Sequence, residues 1–132
     1  MLRRTFLLAS AASLLAPLAR AIAAAPAQAP PVTILDCRIA GFAHHLGPRL
    51  WRELRKGDRL TLVREPENPH DARAVAVHWR KARIGYLPRL ANRAAARLLD
   101  EGARLDARIV RLYPEARHEP LRLEVLLQGR PA

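Results

Sequence analysis

The hydrophobic and polar positions along this chain change rhythm several times, and each change predicts an element. Val32 to Ile39 is a short run of Val, Thr, Ile and Leu, the composition and length of a strand, and Gly41 ends it. Leu50, Trp51 and Leu54 have helical spacing, which predicts a single helical turn before Gly57. Gly57-Asp58 signals a turn, and Arg59 to Arg64 follows as a strand with Leu60 and Leu62 on one face. Val75, Val77 and Trp79 then alternate with Ala74, Ala76 and His78, the period of a half-buried strand with Trp79 on its inner side. A short turn over Arg80 to Ala82 and a strand from Arg83 to Leu87 complete a hairpin.

Pro88 suits the opening of a helix, and the Ala/Leu/Arg run continues it through Asp100. Its expected buried stripe is Leu90, Ala94 and Leu98 with Ala95 and Leu99, and Gly102 supplies the stop. Arg89, Arg93 and Arg97 recur every fourth residue on the opposite face, either as a solvated face or as a phosphate track. Leu105 to Tyr113 reads as a longer strand whose alternation slips near Val110, which predicts a bulge. Pro114 to Pro120 is a polar loop, and Leu121, Leu123, Val125 and Leu127 alternate in a last strand. Six short strands and two short helices predict a mainly β, α+β domain, a small six-stranded β-barrel.

The leader has a different pattern. A basic start, an apolar Leu/Ala run and Ala-x-Ala sites mark residues 1–24 as a signal peptide, and Ala25 to Pro31 as a Pro/Ala tether. Arg3-Arg4-Thr5-Phe6-Leu7 resembles the twin-arginine export signal. The expectation is therefore an exported, periplasmic or extracellular domain over residues 32–128, not inserted in the membrane after cleavage, with a frayed tail at 129–132.

Charge narrows the partners. The 132 residues hold 23 Lys+Arg against 12 Asp+Glu, a net charge of +11. Only three of the arginines (Arg3, Arg4, Arg20) lie in the leader, so the domain itself is basic and suits a polyanion. Arginine dominates over lysine, and its planar fork pairs phosphates and carboxylates bidentately. The single cysteine, Cys37, excludes an internal disulfide. No Ser-His-Asp pattern, Gly-rich phosphate loop or paired-carboxylate motif is present, so no catalytic residue and no cofactor are expected. His44, His45 and His70 are the residues a zinc ion would have to use, but neither C-x-x-C nor H-x-x-x-H spacing occurs, and no metal is expected.

The candidate chemistry sits in "REPENPHDARAVAVHW", Arg64 to Trp79. Asn68-Pro69-His70-Asp71 reads first as a turn, since Asn and Asp cap their own backbone and Pro69 fixes the chain.

Three stretches, "GFAHHLG", "GDRLTLVREPENPHDARAVAVHW" and "RIGYLPRLANRAAARLLDEG", resemble the HIRAN domain in order and spacing, from about Ile39 to Leu127. V-R-E-P-x-N-P-x-D-x-x-A-V-x-V followed by I-G-Y-L-P is the most specific part. The resemblance implies an SH3- or OB-like barrel with a helical insertion that binds single-stranded DNA at a free 3′ end. It implies a groove made by Asn68, His70 and Asp71, by His44 and His45, and by Tyr86 and Arg89. In that reading His70 stacks on a base, Asp71 accepts from the terminal 3′-hydroxyl, and Tyr113 lies where a later aromatic closes the groove. The chain departs from the family at Ala43, where an arginine is usual, and at His44, His45 and His70, where larger aromatics are usual. The expected function is a non-catalytic nucleic-acid-binding module. The alternatives are a periplasmic domain binding a peptide, glycan or other anionic envelope ligand and, least supported, a zinc-dependent hydrolase acting on nucleic acid or acid anhydrides.

Overall fold

The computed structural model describes residues 29–129. The expected signal peptide, most of the expected tether and the tail beyond residue 129 therefore lie outside the described residues. The strands are β1 (Val32–Arg38), β2 (Arg59–Glu65), β3 (Ala74–Trp79), β4 (Ala82–Tyr86), β5 (Leu105–Leu112) and β6 (Leu121–Leu127). Two short helices, α1 (Gly47–Leu50) and α2 (Asn92–Asp100), interrupt them, with single 3₁₀ turns at Phe42–His44 and Trp51–Glu53.

All six strands join one antiparallel sheet in the order β1-β6-β5-β2-β3-β4. The expected barrel is not formed, because the sheet does not close. β1 ends at Arg38, and Gly41 (φ 69°) then turns the chain into the Phe42–His44 turn, so among the described residues one isolated bridge, Ala40 to Tyr86, links the two edges. The middle is also narrow: β2 and β5 pair only through Arg59–Arg108 and Leu60–Ala107. β2 uses its first residues for β5 and the rest for β3, so it serves both halves of the sheet.

Alternation sets the core. Leu60 and Leu62, Val75 and Val77, Ala107 and Ile109, and Leu121, Leu123 and Val125 are all buried in one cluster with Ile39, Leu54 and Ile84. Trp79 is buried as expected, and its indole donates to Asp58 Oδ2 at 3.0 Å. β3 is more deeply set than a half-buried strand, since Ala74 and Ala76 are buried as well. The predicted bulge is present: the β5–β6 register shifts between Ile109 and Arg111. Arg80 takes the left-handed φ of 57° in the tight turn between β3 and β4.

The helix differs from expectation. It starts at Asn92, because Pro88 to Ala91 form a separate turn closed by Ala91 N–H to the Pro88 carbonyl. The inner face is Asn92, Ala95 and Ala96 with half-buried Leu98 and Leu99, so Ala95, Leu98 and Leu99 lie inward as expected while Asn92 and Ala96 take the places expected of Leu90 and Ala94. Leu90 is fully exposed and Ala94 is exposed too. Arg89 precedes the helix, so Arg89, Arg93 and Arg97 do not share a helical face; Arg97 instead pairs with Glu101 at 3.1 Å.

Candidate nucleic-acid interface

A pocket of about 300 Å³ opens where the β2–β3 loop meets the end of β4. His45, Asn68, His70, Asp71, Tyr86 and Arg89 line it, so six of the seven expected groove residues come together. The seventh, His44, is exposed on the 3₁₀ turn and is not part of the lining. Tyr113 lies at the far end of β5 and is not in this lining either.

The loop is held by its own polar side chains. Asn68 Oδ1 accepts from the His70 N–H at 2.8 Å, and Asp71 Oδ1 accepts from the Arg73 N–H at 2.9 Å. Backbone bonds from Asn68 to Glu65, Asp71 to Asn68 and Ala74 to Asp71 wind the segment into successive turns. Asp71 Oδ2 accepts from the buried Asn92 amide at 2.8 Å, which fixes the loop to the first residue of α2. The Arg73 N–H and the Asn92 amide together hold the Asp71 carboxyl below its ordinary pKa against a small burial effect, and Arg89 adds to this. Each carboxylate oxygen keeps a lone pair free. Arg89 spans the mouth: it donates to the His70 carbonyl and lies 3.9 Å from Asp71, with its side chain 70% exposed.

One wall of the pocket is a polar network that sequence reading did not find. The Tyr86 hydroxyl donates to Glu65 Oε1 at 2.8 Å and accepts from Arg83 at 3.1 Å. Asn68 also donates to Glu65 Oε1 at 3.1 Å, and Arg83 bonds Glu65 Oε2 at 3.2 Å. Burial raises the Glu65 pKa, but the bonds from Tyr86, Asn68 and Arg83 outweigh it and leave the carboxyl below its ordinary value. Burial and the Glu65 charge push the Tyr86 phenol upward. His45 packs edge-on against Tyr86 with ring centroids 5.2 Å apart. Burial, then Arg83 and His44, lower its pKa against the opposing charge of Glu65, which favours the neutral ring. Ala40, Gly41, Ala74 and Leu87 supply the apolar floor. Glu65, Arg83 and the floor residues carry no motif of their own; strand pairing across β2, β3 and β4 brings them together.

Among the described residues no group of three or more His, Cys, Asp or Glu is arranged to hold a metal. Cys37 is apart from the pocket on β1, and burial, with Asp36 adding, pushes its thiol up to about 11. No helix among the described residues is long and apolar enough to cross a membrane.

The sequence pattern of the HIRAN domain matches residues 32–129, nearly all of the described chain. The chain belongs to the HIRAN domain family. HIRAN domains are known as modules that bind DNA 3′ ends, and they are typically non-catalytic. Two solved structures share the fold. One is a Lactobacillus plantarum protein solved as a structural-genomics target, with a TM-score of 0.68 and 26% identity over 76% of this chain and 97% of its own. The other is the HIRAN domain of human HLTF, with a TM-score of 0.58 and 20% identity over 76% of this chain and 81% of its own. No curated protein matches the sequence.

Proposed function

We propose that this HIRAN domain is a non-catalytic module that takes the free 3′ end of single-stranded DNA into the pocket beside the Asn68–Asp71 loop. The observation that carries the reading is the convergence of His45, Asn68, His70, Asp71, Tyr86 and Arg89 on one pocket. Asp71 is ionised and anchored on two sides, so its remaining lone pairs suit a sugar hydroxyl and repel a terminal phosphate. His70, His45 and Tyr86 offer ring faces and edges to bases, and Arg89 is exposed at the mouth for a phosphate. The leader with Arg3-Arg4 favours work outside the cytoplasm, on DNA released or taken up there; a reporter fused to that leader and stranded in the cytoplasm would remove this part of the proposal.

The test is fluorescence anisotropy with single-stranded oligonucleotides that end in a 3′-hydroxyl or a 3′-phosphate. The hydroxyl end is expected to bind at least about tenfold tighter, since like charges juxtaposed across an interface are disfavoured. Asp71→Asn should reduce that ratio to about threefold or less with the salt dependence retained. Equal binding of both ends by the unmodified protein would overturn the proposal. Equal binding by an anionic glycan or peptide would favour an envelope ligand instead.

A further inference from the structure

A second cluster lies on the outer face of β1, β6 and β5, and the pocket does not use it. Arg38 sits opposite Arg122 across β1 and β6, and Arg122 sits opposite Arg111 across β6 and β5. Three arginines therefore stand side by side on three adjacent strands. Like charges directly opposite one another destabilise a sheet, so this row needs a reason. The bulge at Val110 creates it. Ile109 points inward, and strict alternation would send Arg111 inward as well; the extra residue returns Arg111 to the exposed side, opposite Arg122.

Tyr113 organises the row. The Arg38 guanidinium carbon lies 3.7 Å from the centre of its ring, and that of Arg111 lies 4.8 Å away. The ring itself is held at the end of β5 by the Tyr113 N–H bond to the Pro120 carbonyl at 2.7 Å. Slight burial raises the Tyr113 pKa, but Arg122 and Arg38, with Arg111, outweigh it and pull it below its ordinary value. Arg122 is neutralised by a two-point pair to Asp36, at 2.6 and 2.9 Å. Among the described residues no carboxylate pairs with Arg38 or Arg111. A guanidinium held over a ring by this attraction keeps N–H donors for the fork that grips a phosphate.

The row begins beside the pocket. Arg38 and Ala40 are two residues apart on extended chain, about 7 Å, and Ala40 lines the pocket floor. We propose that the β1–β6–β5 face is a second, phosphate-binding subsite, where Arg38 and Arg111, set by Tyr113, hold the backbone of the same single strand after it leaves the pocket. This inference rests on the 3′-end reading of the pocket. It makes the domain a reader of an end and of the single-stranded stretch behind it.

The experiment uses the full chain and 3′-hydroxyl oligothymidylates of about three and about twelve nucleotides, titrated by anisotropy across salt, with the 3′-phosphate forms in parallel. The longer oligonucleotide is expected to bind at least about tenfold tighter, with a steeper salt slope. The double variant Arg38→Ala/Arg111→Ala should lose most of that gain and flatten the slope by about 1.4, the value for two phosphates on a single strand. Its affinity for the short oligonucleotide should stay within about twofold, which also shows that the variant is folded. Tyr113→Leu should lose part of the gain with every arginine still present, an effect that charge alone does not give. Length-independent binding by the unmodified protein would overturn the subsite and leave end recognition standing. A length gain that depends on Arg38 and Arg111 but shows no end preference would keep the arginine face as a strand-binding surface and remove the 3′-end reading. Equal weakening of short and long oligonucleotides by the double variant would overturn the division into two subsites.

Discussion

Around the pocket, Glu65, Asp71, Arg83 and Arg89 each face an opposite charge, whereas in the Arg38–Arg122–Arg111 row on the β1–β6–β5 face only Arg122 has a carboxylate, Asp36, and the next row pairs Arg108 with Glu124. At the pocket the pairs fix shape: Glu65 gathers Tyr86, Asn68 and Arg83, and Asp71 ties the loop to Asn92. On the outer face charge is left over, and an aromatic ring rather than a carboxylate holds it in place. A site whose charges are matched selects by fit and by hydroxyl or amide chemistry. A site with surplus guanidinium selects phosphate and is blunted by salt.

The contrast is broken most severely at Gly85. A Cβ there would lie 2.6 Å from the Ala40 carbonyl oxygen and 2.7 Å from Ile39 Cδ1, so Gly85→Ala must push apart the bridge between Ala40 and Tyr86. We expect a loss of about 3 kcal/mol in urea denaturation and loss of end preference. Unchanged stability would mean that this close approach does not hold the pocket wall.

Tyr86→Phe acts on the matched charges alone. It removes the hydroxyl that donates to Glu65, for an expected loss of about 1.5 kcal/mol. Glu65 has a folded pKa below its ordinary 4.5, so its stabilising effect is present above that pH and is lost as pH falls through the lower, folded value. His45 works in the same direction from its ordinary 6.5: its folded pKa is lowered, so protonation favours unfolding as the solution is acidified. In Tyr86→Phe the Glu65 value should move back up, and stability should depend less on pH below about 4.5. Denaturation midpoints of both proteins from neutral to acid pH measure this. An unchanged acid slope would show that the hydroxyl does not hold Glu65 ionised. Any length-dependent binding should not follow the same profile, since it rests on other residues.

His70→Tyr sharpens the comparison from the binding side. A larger ring at the pocket rim should tighten a short 3′-hydroxyl oligonucleotide by about fivefold, near 1 kcal/mol, without changing the salt slope. Anisotropy measures both; a gain that vanishes with salt would point to charge and not stacking. The smallest effect is expected for Arg97→Ala. Its pair with Glu101 is exposed and lines neither site, so stability should change by less than about 0.5 kcal/mol and DNA affinity hardly at all. A large loss of affinity there would revive a phosphate track along α2.

The strands were legible because a strand with one buried face writes itself as alternation, and even the bulge at Val110 appeared as a slip in that rhythm. The start of α2 was not legible, because Leu90 is as apolar as any core leucine and only the separate turn at Pro88–Ala91 shows that it faces water. The failure of the sheet to close was also hidden. It depends on where one residue, Gly41, diverts the chain, and not on the composition of either edge.

The loop Asn68-Pro69-His70-Asp71 was fixed by local chemistry, since its Asx bonds reach only two residues along the chain. Glu65, Arg83, Asn92 and the alanine floor came from three strands and a helix, and no short-range pattern links them. The arginine row shows the same division. The sequence determined that the domain is basic, cysteine-poor, mainly β and furnished with a HIRAN-like loop. Only the tertiary structure decided which charges cancel and which remain, because that depends on register across strands, and one inserted residue moves Arg111 from the core side to the surface beside Arg122.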